Sequence, residues 1–169
     1  MKNLIKLKWM SNRYRKLLLT VKKEMEEKKD RENRENNIVI YNCIENRSDN
    51  KTEWFNSELK FCLDLCNDVL GVGVGVVKDD ITQTTRLGKR ENNLKRPLLV
   101  QFKSKAVKNR VMESLTRLRG ADEPFKSIVV SHDLTKNERE VRTLVNLAKE
   151  KQEENGQGNG YPVQENFLL

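Results

Sequence analysis

Residues 96–120 read RPLLVQFKSKAVKNRVMESLTRLRG, and the fold turns on this stretch. Pro97 stands at the head of Leu98-Leu99-Val100-Gln101-Phe102, a short apolar run read as a strand; proline at a first strand residue removes no ladder hydrogen bond. From about Ser104 to Arg119 the period changes. Val107, Val111, Met112, Leu115 and Leu118 recur at helical spacing, and Gly120 ends the helix.

Working outward toward the N-terminus, Val76-Val77 through Arg86-Leu87 holds Ile81, Thr82, Thr84 and Thr85 and is read as another strand. The polar, basic loop Gly88 to Arg96 joins it to the first. Before it, Phe55, Leu59, Cys62, Cys66 and Val69 form one buried helical face, with Thr52 as the expected N-cap and Gly71 as the end. Ile38-Val39-Ile40-Tyr41-Asn42-Cys43 is a β-branched and aromatic strand. In the other direction, Lys126 to His132 contains a strand at Ile128-Val129-Val130. Thr135-Lys136-Asn137-Glu138 is a capping box that opens a last helix, whose apolar face is Val141, Leu144, Val145 and Ala148. The expected class is α+β: a ferredoxin-like β-α-β-β-α-β sandwich between an N-terminal and a C-terminal helix. The expected divisions are 1–36, 37–132, 133–152 and a glycine-rich, flexible tail from 153.

Residues 1–36 contain no Gly or Pro and read as one helix. A seven-residue frame places Leu4, Ser11, Leu18 and Met25 at one seam position and Leu7, Tyr14, Val21 and Lys28 at the other. Six of these eight are apolar or aromatic, which suits an oligomerisation stalk. A solvated basic helix is the competing reading, and a helix lying on an anionic membrane ranks third because the apolar face is narrow.

The 169 residues carry a net charge of +8, unevenly distributed. Residues 1–36 carry +6 and 70–120 carry +8, while 37–69 and 121–169 each carry −3. Concentrated positive charge favours a polyanion, since each neutralised phosphate releases counterions. Candidate phosphate-binding residues are Arg86, Lys89, Arg90, Lys95 and Arg96 at the strand end and loop, then Lys103, Lys105, Lys108 and Arg110 on and around the helix, with Arg117 and Arg119 beyond. The loop group is the stronger set, because no helix packing requires it to be basic.

Other chemistry is poorly supplied. Gly71-Val72-Gly73-Val74-Gly75 follows a helix and precedes a strand, the reverse of a phosphate-cradling loop. Cys62 and Cys66 lie on an apolar face with only Cys43 and His132 to complete a metal site, so core thiols are expected and no metal or cofactor. Three cysteines suit a reducing, cytoplasmic or nuclear compartment rather than a disulfide scaffold. His132 beside Asp133 has no matching nucleophile, so no enzyme is expected. No segment reads as a membrane span, and no small-molecule substrate is implied.

The succession NNIVIYNCIE, VKDDITQTTRLGKR, RPLLVQF and IVVSHDLTKNERE resembles the RNA-binding proteins encoded by the first reading frame of non-LTR (LINE-type) retrotransposons in animals. The likeness covers about residues 1–152 and is densest over 36–150. It implies an RNA-recognition-type domain behind a trimeric coiled coil, a partial C-terminal domain, and binding of single-stranded RNA or DNA with little sequence preference. It also implies nucleic-acid chaperone activity and packaging of the element's own transcript. Arg86, Lys89, Arg90 and Arg96 fall where that family contacts RNA. Tyr41 echoes a base-stacking position of the first strand, whereas Pro97, Leu98 and Leu99 stand where the third strand would carry aromatics. The competing reading is a coiled-coil adaptor whose folded domain binds another protein.

Overall fold

The structure, a computed structural model, describes residues 12–45, 49–71, 75–90 and 95–154. The seam residues Leu4, Leu7 and Ser11, the loop segments 46–48, 72–74 and 91–94, and the tail from 155 lie outside the described residues. The chain divides after Asp133 into two compact units.

The first unit opens with helix α1, Asn12–Arg34, followed by strand β1, Asn37–Tyr41. Helix α2, Lys51–Asp64, runs on into a π turn, Leu65–Val69, closed by the Leu70 amide donating to the Leu65 carbonyl at 2.9 Å. A 3₁₀ turn, Lys78–Asp80, leads into β2, Ile81–Arg86. Strand β3 is Leu98–Phe102; helix α3, Lys105–Glu113, passes into a 3₁₀ stretch, Ser114–Gly120; and β4 is Val129–His132. The strands form one antiparallel sheet in the order β2-β3-β1-β4.

The register explains the burial. Ile38 and Ile40 of β1 face Val100 and Leu98 of β3, and these four join Phe102 on the sheet face covered by α2 and α3. The helices add Leu59, Cys62, Leu65, Cys66, Val107 and Val111 to the same core. Burying a Leu, Ile, Val or Phe fully contributes about 1.5–3 kcal/mol, so this single layer carries the unit. Burial pushes the Cys66 thiol up to about 12 and Cys62 well above its usual value, so both remain protonated packing groups.

The class expected from the sequence is corrected to a plainer one. Among the described residues the chain is α+β with four α-helices and one four-stranded antiparallel sheet ordered β2-β3-β1-β4, not an RNA-recognition-type sandwich behind a coiled coil. Three features depart from that expectation. Helix α1 has no buried residue. The outer sheet face, where β1 places Asn37, Val39 and Tyr41 and β3 places Leu99 and Gln101, offers a single aromatic ring among the described residues. The helical layer is irregular, with a π turn ending α2 and a 3₁₀ stretch ending α3.

Smaller differences have local causes. The N-cap of α2 is Asn50 rather than Thr52, because its side-chain oxygen accepts from the Thr52 amide at 3.0 Å. Residues 78–80 leave the expected strand because the Asp80 carboxylate accepts from the Val77 amide at 3.0 Å, closing a turn. Helix α3 ends early where the Ser114 hydroxyl donates back to the Arg110 carbonyl at 2.9 Å.

The second unit holds helix α4, Lys136–Glu154. Its capping box is formed: the Glu138 amide donates to the Thr135 hydroxyl at 3.2 Å, and the Thr135 amide donates to the Glu138 carboxylate at 2.8 Å. Val141, Leu144 and Val145 are exposed.

Candidate nucleic-acid interface

Strand β2 decides which basic residues reach solvent. Straight alternation from the buried Ile81 would turn Arg86 outward, with Thr82 and Thr84. An irregularity between Ile81 and Gln83 inserts one residue and inverts that parity, so Thr84 and Arg86 face inward. Arg86 consequently meets Glu58 of α2, its Nε donating to Oε1 at 3.0 Å and its Nη2 to Oε2 at 2.7 Å. Its Nη1 donates to the Arg96 carbonyl at 2.7 Å and to the Cys43 sulfur at 3.0 Å, and its Nη2 to the Ile44 carbonyl. The pair's side chains are 1% and 2% exposed. Burial pushes the Glu58 carboxyl up, against the pull of Arg86. Arg86 is therefore a structural residue that ties β2, α2 and the segment after β1 together. Its expected place in a phosphate site is corrected by the lack of any surface or spare donor geometry.

Arg96 is also engaged. Its guanidinium forms an ion pair with Glu45 through Nε and Nη2, and Nη1 donates to the Gly88 carbonyl at 3.4 Å. Arg96 holds the Glu45 carboxyl below its usual range. These contacts, with the Leu87 amide donating to the Pro97 carbonyl at 2.8 Å, pin both stems of the β2–β3 loop. On that pinned base Lys89 and Lys95 are exposed, with no ion-pair partner among the described residues. Arg90 is exposed and lies 3.9 Å from the fully exposed Asp49. This is a cationic rim on a rigid stem.

The remaining candidates lie elsewhere. Antiparallel pairing of Ile81 with Phe102 and of Arg86 with Leu98 puts Lys103 and Lys105 at the opposite end of the sheet from the loop. Five strand steps separate the two ends, about 17 Å. Lys105 is exposed and lies 3.7 Å from Glu35. Lys108 is 7% exposed, and burial with Lys105 nearby lowers its pKa. Arg110 is half-buried on α3, and Arg117 donates to the Leu70 and Gly71 carbonyls at 2.8 Å each, capping the end of the α2 turn. The sequence-predicted set is thus two clusters and several structural arginines, not one patch.

Tyr41, at the end of β1 opposite Val129, is 39% exposed on the outer sheet face. Of the expected stalk residues, Tyr14, Leu18, Val21 and Met25 are all exposed along α1. Asp133 accepts from Arg34 Nη1 at 2.8 Å and Asn37 Nδ2 at 3.0 Å, tying α1 to β1.

Sequence reasoning missed Glu45 and Glu58 as partners of arginines 51 and 28 residues away. It also missed Phe55 and Lys78, which share a cleft of about 410 Å³ with Lys103. The one available signal was the run of three threonines and a glutamine in β2, which leaves an arginine as the only charge on that strand. Compared with known proteins, the chain matches no protein-family model and no curated protein.

Proposed function

We propose that this chain is a non-enzymatic protein that binds single-stranded RNA largely through its phosphates, with little sequence preference. The observation that carries the reading is the exposed pair Lys89 and Lys95, unpaired among the described residues and beside Arg90, on a loop whose stems are fixed by Arg86 and Arg96. A fixed stem holds the two ends of the loop in place, so less ordering is needed on binding. Weak sequence preference follows from the outer sheet face, where Tyr41 is the one exposed aromatic among described neighbours such as Gln101 and Ser131. The resemblance to first-reading-frame proteins of LINE-type retrotransposons points the same way.

The apolar side chains of α1 support a second element of the proposal. Tyr14, Leu18, Val21 and Met25 repeat at spacings of four, three and four and are left exposed within one chain. Covered by further copies, as in the trimer the resemblance implies, they hold an oligomer that multiplies loop contacts through avidity. The same stripe would serve a coiled-coil adaptor for another protein, and RNA affinity separates the two. Titration of a labelled single-stranded RNA at low salt should give saturable binding that weakens steeply as salt is added. Absence of binding at low salt would reject the nucleic-acid reading and favour the adaptor.

A further inference from the structure

A second surface feature lies about 17 Å from the loop, at the other end of β2. Phe55 and Leu59 of α2 and Ile81 of β2 form the apolar floor of an open cleft of about 410 Å³. Lys78, Thr82 and Lys103 stand on its rim. The size falls within the range of small-molecule sites. The rim is held by backbone: the Lys103 amide donates to the Asp80 carbonyl at 2.7 Å, and the Asp80 carboxylate closes the turn that carries Lys78. Both lysines are exposed, and neither has an ion-pair partner among the described residues. Phe55 is 38% exposed and stands outside the core cluster, although its helical spacing with Leu59 and Cys62 marked it as a core residue. The ring is presented to solvent at the mouth of a positively rimmed cleft.

We propose that this cleft is a nucleotide subsite: a base lies against the Phe55 ring, and the adjoining phosphates meet Lys78 and Lys103. Asp79, the remaining lining residue, lies on the same rim and offers an acceptor for a base N–H, such as N3–H of uracil. The inference rests on the nucleic-acid reading and gives the strand a path. Among the described residues β2 pairs only with β3, so its other edge is open. Its exposed side chains Thr82 and Gln83 are small or neutral hydrogen-bonding groups. A single strand following that edge meets cations at both ends, Lys78 and Lys103 at the cleft, and Lys89, Arg90 and Lys95 at the loop. An extended peptide added to the same edge is less well matched, since five cations along the route call for a partner with regularly spaced negative charge.

The test uses the full chain and a uridine oligonucleotide of about twelve residues, a length in the range of single-strand sites. Phe55→Leu keeps the floor apolar and removes the aromatic face, and should weaken binding about tenfold. Lys78→Gln with Lys103→Gln should reduce the slope of log affinity against log salt by about 1.4, at about 0.7 for each phosphate that is no longer neutralised. A 4-thiouridine version should cross-link to peptides containing Phe55 or Lys78. If both variants bind as the wild type while neutralising Lys89 and Lys95 weakens binding, the subsite is wrong and the loop reading stands. Wild-type protein that binds no RNA at low salt removes both. An acidic, apolar peptide that protects the cleft while the oligonucleotide does not would make it a peptide groove and overturn the proposal.

Discussion

Replacing Arg86 by Met should destabilise the protein severely and leave the salt slope of RNA binding by the folded protein almost unchanged, because the buried guanidinium meets no phosphate. The substitution keeps an apolar stem but removes the guanidinium. It leaves the Glu58 carboxylate and the carbonyls of Ile44 and Arg96 without their donor in a site that is 1–2% exposed. Breaking one side of a buried ion pair costs about 3–5 kcal/mol, because the abandoned charge stays desolvated. At about 3–5 °C per kcal/mol for a unit ending at Asp133, the melting temperature should fall by at least about 9 °C. The loss should depend on pH in a defined sense. Burial already pushes the Glu58 carboxyl up, and Arg86 is the main group opposing that push. The folded variant then binds a proton more tightly than its unfolded chain, so it regains stability as pH falls toward the unfolded carboxyl value of about 4.3 and loses it as pH rises. Adding Glu58→Leu should recover much of the loss, since two apolar groups tolerate the site better than a lone charge. Urea unfolding followed by circular dichroism at neutral and mildly acid pH measures all three proteins. An Arg86→Met protein within about 0.5 kcal/mol of wild type would refute the reasoning, because a change that small belongs to surface substitutions. So would a salt slope for RNA binding that drops with Arg86.

Three further outcomes follow from the same geometry. Gly71→Ala should cost about 1–3 kcal/mol in urea unfolding, because Gly71 has φ +54 and the new Cβ would clash with Arg117 Nη1, displacing the guanidinium from the Leu70 and Gly71 carbonyls. Glu45→Gln should flatten acid unfolding: Arg96 holds the wild-type carboxyl low, so its stabilisation is present above the unfolded value of about 4.3 and is lost as pH falls through the folded one. Leu18→Glu with Val21→Glu changes residues exposed in the single chain, so it should leave the sheet unit folded and convert an oligomer to monomer in sedimentation; an unchanged mass would remove the proposed association.

Much of the secondary structure was legible because period and punctuation agreed. Strand β3 and helix α3 lie where Leu98–Phe102 and Val107–Val111 put them, and Thr135 with Glu138 caps α4 as the local spacing requires. Local signals carry that information. The class label was not legible to the same degree, because it was read from the order of elements along the chain, which does not say whether the N-terminal helix buries a face. Arg86 escaped sequence reasoning for a physical reason. One inserted residue between Ile81 and Gln83 exchanges the two faces of β2, and no composition rule marks where a bulge falls. The partners Glu45 and Glu58 are long-range, and an arginine's sequence neighbourhood does not say whether a carboxylate waits for it across the core. The exposure of Lys89 and Lys95 was legible because a loop has no inner face to turn them toward.

The most direct measurement is the salt dependence of single-stranded RNA binding for the wild type beside Lys89→Gln/Arg90→Gln/Lys95→Gln. Three neutralised phosphates at about 0.7 each predict that the triple variant loses about 2 from the slope of log affinity against log salt, with unfolding in urea unchanged. Equal slopes for the two folded proteins would contradict the account.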